Sequence, residues 1–136
     1  MAGRLRASII KGTDRGTIES HVQEHVAEGA RVYTDELGSY RFLDELGYSH
    51  ATVDHMECYV DGRVHTNGLE NFWSLLKRGL NGTYISVQPF HLFRYLDERV
   101  FTFNLRGLDD YDRFATVLQA VTGRRLTYAE LTGHAC

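Results

Sequence analysis

Cysteine and proline are scarce in this chain, which has two cysteines and one proline among its 136 residues. Cys58 and Cys136 lie far apart and form no Cys-x-x-Cys pair. The sequence therefore predicts neither a disulfide framework nor a structural zinc site. No apolar run approaches the roughly 18 residues of a membrane helix, and the first residues lack the apolar core of a signal peptide. We expect a cytoplasmic protein with no membrane partner.

The charged residues are unevenly distributed along the chain. Residues 13–62 carry three basic and eleven acidic side chains, whereas residues 63–106 carry six basic and three acidic ones. A net charge of −3 argues against a protein that coats nucleic acid non-specifically. It leaves room for a basic strip beside an acidic, cation-attracting segment. Solvated helix faces are the alternative interpretation of the same pattern.

The hydrophobic periodicity alternates between strands and helices in the first half of the chain. It predicts strands at residues 4–10, 30–34 and 49–54, and helices at 17–28 and 38–46. This alternation is typical of an α/β layer with a partly parallel sheet. The second half predicts helices at residues 67–78, 89–105, 109–121 and 127–132.

Two of the predicted helices have a clear apolar stripe. In the helix 67–78 the stripe consists of Leu69, Phe72, Trp73 and Leu76, at the spacing i, i+3, i+4, i+7. In the helix 89–105, which Pro89 opens, the predicted buried face consists of Phe93, Leu96, Val100 and Phe103. We expect both stripes to face the core.

Asp35 and Glu70 are the carboxylates whose positions suggest chemistry. Asp35 follows the predicted strand 30–34, which we expect to be buried, and Glu70 lies on the first turn of the helix 67–78. Two carboxylates brought together in this way can hold Mg²⁺, and Lys77, on the same flank of that helix, can contact a phosphate. Structural interpretations stay open: Asn67 and Glu70 as a capping box, Lys77 and Arg78 as partners of the helix dipole, and Asp35 as the start of a turn.

Three strings carry a family resemblance: VYTDELGSYRFL, VHTNGLENFWSLLKRGLNGTY and HLFRYLDERVFTFNLR. Together they resemble the DDE transposases of bacterial insertion sequences, in the subgroup with an N-terminal zinc ribbon and a ribonuclease-H-like core. The tail DRFATVLQAVTGRRLTYAEL resembles the C-terminal extension of that subgroup. The resemblance implies an α/β fold, with a ribonuclease-H-like mixed sheet and flanking helices over residues 1–106 and a helical extension over residues 107–136.

The resemblance also implies which residues act on DNA. The second catalytic Asp of the family falls on Asp35 and the third acidic position on Glu70, which together would hold Mg²⁺ or Mn²⁺. Asn67 is an alternative ligand, since some members have Asn in the third position. Lys77 matches the basic residue that follows. The further DNA contacts that we expect are Arg78, Arg94, Arg106 and His65.

The implied activity is metal-dependent cleavage at transposon ends, followed by attack of the freed 3′-OH on target DNA. A second copy of the chain or a full-length transposase is the expected protein partner. The chain departs from the family pattern because it resembles only the C-terminal half. The first catalytic Asp, the first two strands and the zinc ribbon have no counterpart in it, so we expect little or no transposition by the chain alone.

Two competing interpretations remain at this stage. His21-Val-Gln-Glu-His25 is a literal His-x-x-Glu-His motif, in which the two histidines would share Zn²⁺ and Glu24 would act as a base. A third ligand would be needed, and the candidates are His50, His55 and His65. An ordinary amphipathic helix with Ile18, Val22 and Val26 inward explains the same residues. The other interpretation is a non-catalytic remnant that binds DNA or a transposase partner through its basic residues Lys77, Arg78, Arg94, Arg99 and Arg106.

Overall fold

The computed structural model describes residues 3–34, 40–52 and 67–133 of the chain. The helices and strands in these ranges are α1 (Arg15–His25), β1 (Arg31–Thr34), α2 (Phe42–Glu45), β2 (Ser49–Thr52), α3 (Asn67–Arg78), α4 (Leu92–Asn104), α5 (Asp110–Val121) and α6 (Tyr128–Thr132). A π-helical turn (Gly79–Thr83) follows α3, and a 3-10 turn (Pro89–His91) precedes α4. None of the described helices is long and apolar enough to cross a membrane.

The chain forms two compact units, and α3 runs from one into the other. The sheet unit is Ile9–Leu75, and the helical unit combines Met1–Ser8 with Leu76–Cys136. The predicted domain boundary between residues 106 and 107 stays a prediction.

The sheet unit contains a two-stranded parallel sheet. β1 pairs with β2 in a register that runs from Arg31 opposite Ser49 to Thr34 opposite Thr52. Parallel strands need a crossover connection, and α2 lies in the segment that joins these two. The predicted α/β class is confirmed in this coarse form, a helix-rich chain with a small parallel sheet.

The core of the sheet unit is built from α2 and the residue that precedes β2. Phe42, Leu43 and Tyr48 are buried there. The apolar stripe of α1 (Ile18, Val22 and Val26) packs against them together with neighbouring apolar residues. The Tyr48 hydroxyl donates a hydrogen bond to the Val26 carbonyl at 3.2 Å, so the one polar atom of this buried ring has an acceptor.

Asp14 is the N-cap of α1. Its carboxylate accepts hydrogen bonds from the Thr17 hydroxyl at 2.7 Å and the Thr17 backbone N–H at 3.0 Å. Hydrogen bonds to the charged form favour ionisation, and these two lower the pKa of Asp14 below its ordinary value of 3.8.

We predict an acid-labile contribution of Asp14 to stability. A carboxyl whose pKa is lower in the folded state stabilises the fold above the unfolded value, and this stabilisation is lost as the pH falls through the folded value. The contribution of Asp14 should therefore be present above about pH 3.8 and decline below it. The variant Asp14→Asn keeps a capping oxygen that does not titrate, so its urea midpoint should fall less steeply on acidification. The same decrease of the urea midpoint with falling pH in both proteins would contradict the prediction.

The prediction of a strand at residues 4–10 was wrong. No strand forms in the described residues before α1. Among the described residues the sheet contains β1 and β2 alone, and the backbone of Leu5 is bound by the Asn104 side chain instead. The Leu5 N–H donates to Asn104 Oδ1 at 2.7 Å, and Asn104 Nδ2 donates to the Leu5 carbonyl at 2.9 Å. A side-chain amide thus gives this extended segment the two partners that a neighbouring strand would otherwise supply.

We expect Asn104→Ala to destabilise the helical unit. The substitution removes both hydrogen bonds to Leu5, which is partly buried, and a typical net value of about 0.5–1.5 kcal/mol per bond gives a loss of about 1–3 kcal/mol. Urea unfolding measures this loss. Thr102→Ala is the matched control in the same helix, because the exposed Thr102 hydroxyl donates to the carbonyl of Glu98, one turn earlier. Equal losses for the two variants would contradict the role of Asn104.

The apolar stripes of α3 and α4 are only partly buried. Phe72, Leu76 and Leu96 are buried as predicted, but Leu69, Trp73 and Phe93 are 43–49% exposed in the described part of the chain. The prediction was therefore wrong for these three residues. Periodicity gives the direction of an apolar face, whereas burial depends on how wide the neighbouring surface is.

The ends of the predicted helices agree with the structure to within a few residues. α1 stops at His25 rather than residue 28, because Val26 is extended and the chain turns at Gly29, which has φ +75°. α3 ends at Arg78, as its glycine signal predicts. The predicted capping box of Thr127 and Glu130 opens α6 and is confirmed in both directions.

Candidate functional site

Asp35 follows the carboxyl end of β1 in the sequence. β1 ends at Thr34, and the next residue in sequence is Asp35. Asp35 lies outside the described residues, as does His65. The structure therefore shows the strand before Asp35, and it shows that this strand pairs in parallel with β2. In open α/β sheets, ligands bind outside the carboxyl ends of such strands.

Thr34 of β1 and His50 of β2 contact each other through their side chains. The Thr34 hydroxyl lies 2.7 Å from His50 Nε2. The other ring nitrogen of His50 is 3.8 Å from the Asp44 carboxylate, and the imidazole is only 8% exposed. We expect this pair to fix the last residue of β1 in place. The sequence suggested His50 only as a possible third zinc ligand, because nothing in the spacing of a short strand distinguishes an anchored histidine from an exposed one.

Glu70 and Lys77 lie where the sequence predicts them, on α3. Glu70 is exposed in the first turn of the helix, and Lys77 and Arg78 are exposed in its last turn. Glu70 and Lys77 are seven positions apart, which corresponds to about 10 Å of helix rise. Asn67 is the first residue of α3, but its side chain is outside the described part, so the Asn67–Glu70 capping box stays a prediction.

The turn after α3 lies against the side chain of Arg99, one of the basic residues of the segment 63–106. A side chain at Gly79 would come within 2.8 Å of Nη2 of Arg99, so the guanidinium lies directly against this glycine. The same guanidinium lies 4.9 Å from the centre of the Tyr84 ring, a distance typical of a cation–π contact. The Tyr84 hydroxyl donates to Glu98 at 3.0 Å, and burial together with this bond raises the pKa of Tyr84.

Arg94 and Arg106, two of the predicted DNA contacts, also make contacts within the protein. Arg94 donates to the carbonyl of Glu130 and lies over the Phe93 ring at 5.1 Å. Arg106 donates to the carbonyl of Phe103 at 2.8 Å and lies 4.0 Å from the centre of its ring. Arg106 is exposed and Arg94 is half-buried. Arg106 is therefore the better placed of the two to reach a phosphate.

An open pocket of about 360 Å³ lies in the helical unit, between α4 and the C-terminal helix. Its lining consists of His91, Arg94, Tyr95, Glu98, Leu131 and Thr132. The sequence analysis did not find it, because its two walls come from segments more than thirty residues apart. The lining carries both signs of charge and therefore indicates no single class of ligand.

Comparison with known proteins identifies the family. The model of the ISXO2-like transposase domain matches residues 1–104. The chain belongs to this family. An uncharacterized transposase-like protein of Haemophilus influenzae is 29% identical over 104 residues, which cover 76% of this chain and 84% of that protein. No solved structure matches the chain.

The family assignment confirms the resemblance to insertion-sequence transposases that the three sequence strings carry. All three begin within the matched residues. The roles of Asp35, Glu70, Asn67, Lys77 and the further DNA contacts remain predictions.

Proposed function

We propose that this chain is the C-terminal part of a DDE-type transposase core, with a ribonuclease-H-like sheet and Asp35 and Glu70 as two of its metal ligands. One observation carries the proposal. Asp35 directly follows a strand that is paired in parallel, in a chain whose family is that of the ISXO2-like transposases. The parallel pair β1–β2 with its helical crossover is the arrangement that a ribonuclease-H-like sheet requires at this point.

The donor set at these positions fits a hard divalent cation. Asp35 and Glu70 supply carboxylate oxygens, and Asn67 offers an amide oxygen three residues before Glu70. Oxygen ligands of this kind suit Mg²⁺ or Mn²⁺. Such an ion, when bound, supplies positive charge at the scissile phosphate and lowers the pKa of an attacking water.

The chain's own residues bind and orient the DNA. Glu70 is exposed at the start of α3, and Lys77 and Arg78 follow on the same helix, where each can pair with a backbone phosphate. Arg106 adds a further exposed cation, and Arg94 and His65 complete the proposed set. Contacts of this kind fix the register of the protein on DNA and make binding dependent on salt.

Of the three catalytic acidic residues that the resemblance implies, we match two, Asp35 and Glu70, to this chain. The resemblance matches none of the 136 residues to the family's first catalytic Asp. We propose that the chain alone supports little or no cleavage. The proposed partners are transposon ends, target DNA, and a second copy or a full-length transposase, in the cytoplasm where bacterial DNA lies.

The alternative is a non-catalytic remnant that binds DNA or a transposase partner. The excess of basic over acidic side chains in residues 63–106 favours it. In that case Lys77, Arg78, Arg94, Arg99 and Arg106 matter for binding, and Asp35 and Glu70 do not. A metal dependence of DNA binding that Asp35→Asn and Glu70→Gln both abolish would speak against the remnant.

A chimeric protein tests the catalytic proposal. The upstream half of a full-length member of the family is placed before residue 1, and cleavage of a labelled transposon end is measured with Mg²⁺ and with EDTA. We expect cleavage by the chimera with Mg²⁺ only, and none by the chain alone. A chimera that folds, binds the end and leaves it uncut would overturn the catalytic proposal and favour the remnant.

A further inference from the structure

Three side chains on the surface of α1 lie close enough together to share a metal ion. One ligand atom from each of His21, Glu24 and His25 lies within 4.8 Å of the others. The two imidazole rings are 4.4 Å apart between centroids. The proposed transposase chemistry uses none of these residues, so this cluster calls for an explanation of its own.

Helical geometry brings the two histidines to one face. Residues four apart lie one above the other on an α-helix, and paired histidines at this spacing are a recurrent zinc-binding arrangement. The helix itself is well defined, because Asp14 caps its first turn and its apolar stripe packs on the core of the sheet unit. The cluster therefore stands on a fixed support and not on a loop.

A hydrogen bond selects the nitrogen of His25 that can bind a metal. His25 Nδ1 lies 2.9 Å from the carbonyl oxygen of His21. A carbonyl oxygen only accepts, so the proton of the neutral ring is on Nδ1 and the lone pair is on Nε2. A metal-bound histidine usually donates its second N–H to a carbonyl or carboxylate in this way, which orients the ring.

The ligand atoms of the three residues lie within 4.8 Å of one another. In a tetrahedral site, two ligands at the usual Zn–N distance are about 3.4 Å apart, so metal binding draws the three side chains closer together. Both Glu24 and His25 are exposed, with side chains 73% and 38% accessible. Small side-chain rotations can therefore close the gap without disturbing the core.

The charge around α1 favours a cation. Glu19 and Glu28 lie on or just after the same helix as Glu24, and residues 14–28 carry four acidic side chains against one arginine. An excess of negative charge raises the local concentration of cations. The imidazole nitrogens select a borderline metal, because Mg²⁺ prefers sites built from oxygen alone.

We propose that His21, Glu24 and His25 form a surface site for Zn²⁺ or a similar transition-metal ion. Two nitrogens and one carboxylate oxygen supply three ligands, and water completes the tetrahedron. A bound ion would cross-link two successive turns of α1. It does not depend on the Asp35–Glu70 proposal, since it uses different residues and a different class of ion.

Calorimetric titration of the full chain with Zn²⁺, in a buffer that contains Mg²⁺, tests this proposal. We expect binding of one Zn²⁺ by the wild-type protein at this site. His21→Ala and His25→Ala should each weaken it at least about tenfold, the lower end of the effect seen when even second-shell partners of a metal are removed. His91→Ala, a histidine of the helical unit, is the matched control and should leave the affinity unchanged.

Thermal unfolding supplies a second measurement that does not depend on heats of binding. Zn²⁺ should raise the Tm of the wild-type protein, because a ligand that binds only the folded state stabilises it. The double variant His21→Ala/His25→Ala, compared with its own metal-free Tm, should show no rise. Equal Zn²⁺ affinity in the wild-type protein and this double variant would overturn the proposal, as would no binding of Zn²⁺ to the wild-type protein.

Discussion

Replacement of Leu43 by Ala is expected to lower the free energy of unfolding by about 2–5 kcal/mol. Leu43 is 1% exposed and lies at the centre of the core that joins α1 and α2. The substitution removes buried methyl groups and leaves a cavity that its neighbours fill only in part. Urea unfolding followed by circular dichroism measures the loss. Because a typical domain has only about 5–15 kcal/mol of stability, part of the variant population should be unfolded without denaturant.

Leu75→Ala is the control for this prediction. Leu75 belongs to the same unit but is 41% exposed, so its loss should be well below that of Leu43→Ala, in the range of ordinary surface substitutions. Similar losses for the two leucines would contradict the core described here.

Glu70→Gln and Asp35→Asn are expected to reduce Mg²⁺-dependent cleavage by the chimera at least about 100-fold each. Removal of an outer-shell partner of a metal already costs about 10–100-fold in affinity or activity, and a direct ligand should cost no less. Each substitution keeps the size of the side chain and removes its charge, which is the property that a metal ligand needs. Initial rates of transposon-end cleavage, measured at saturating DNA, provide the comparison.

Glu28→Gln is the matched control, because Glu28 is an exposed carboxylate just after α1. It should leave the cleavage rate unchanged. Binding of the uncut DNA should also be retained by Glu70→Gln, which separates a loss of chemistry from a loss of folding. Full cleavage by both Glu70→Gln and Asp35→Asn would show that neither carboxylate is a ligand.

Much of the fold follows from local signals in the sequence. The helix α3 is predicted with its observed ends, since its residue types, apolar spacing and the glycine that follows all agree. The capping box at Thr127 is equally local. The failures have a long-range cause. Residues 4–10 have the composition of a strand, but a strand needs a neighbour, and the backbone of Leu5 finds a side chain 99 residues away instead.

Burial was harder to predict than secondary structure. Phe72 and Trp73 are adjacent in sequence and belong to one apolar stripe, yet the first is 2% and the second 45% exposed. The hydrophobic pattern cannot distinguish them, because the difference depends on which parts of the chain cover each side of α3. The same limit applies to Phe93 and Leu96 on α4.

The candidate site was predicted from motifs, and the structure adds the supports that motifs do not show. The Thr34–His50 contact links the two strands through their side chains, and the Arg99–Tyr84 contact joins α4 to the end of the turn after α3. Each depends on residues 15 or 16 positions apart that become neighbours only after folding. The His21–Glu24–His25 cluster is the opposite case, since a single helix brings its members together.

Binding of Mn²⁺, followed by electron paramagnetic resonance, tests most directly the claim that Asp35 and Glu70 share a metal ion. Titrations are made with the full chain carrying His21→Ala and His25→Ala, so that the proposed α1 site does not contribute. We predict that this protein binds one Mn²⁺ and that adding either Asp35→Asn or Glu70→Gln weakens binding at least about tenfold. Unchanged binding after both substitutions, or no binding at all, would contradict the claim.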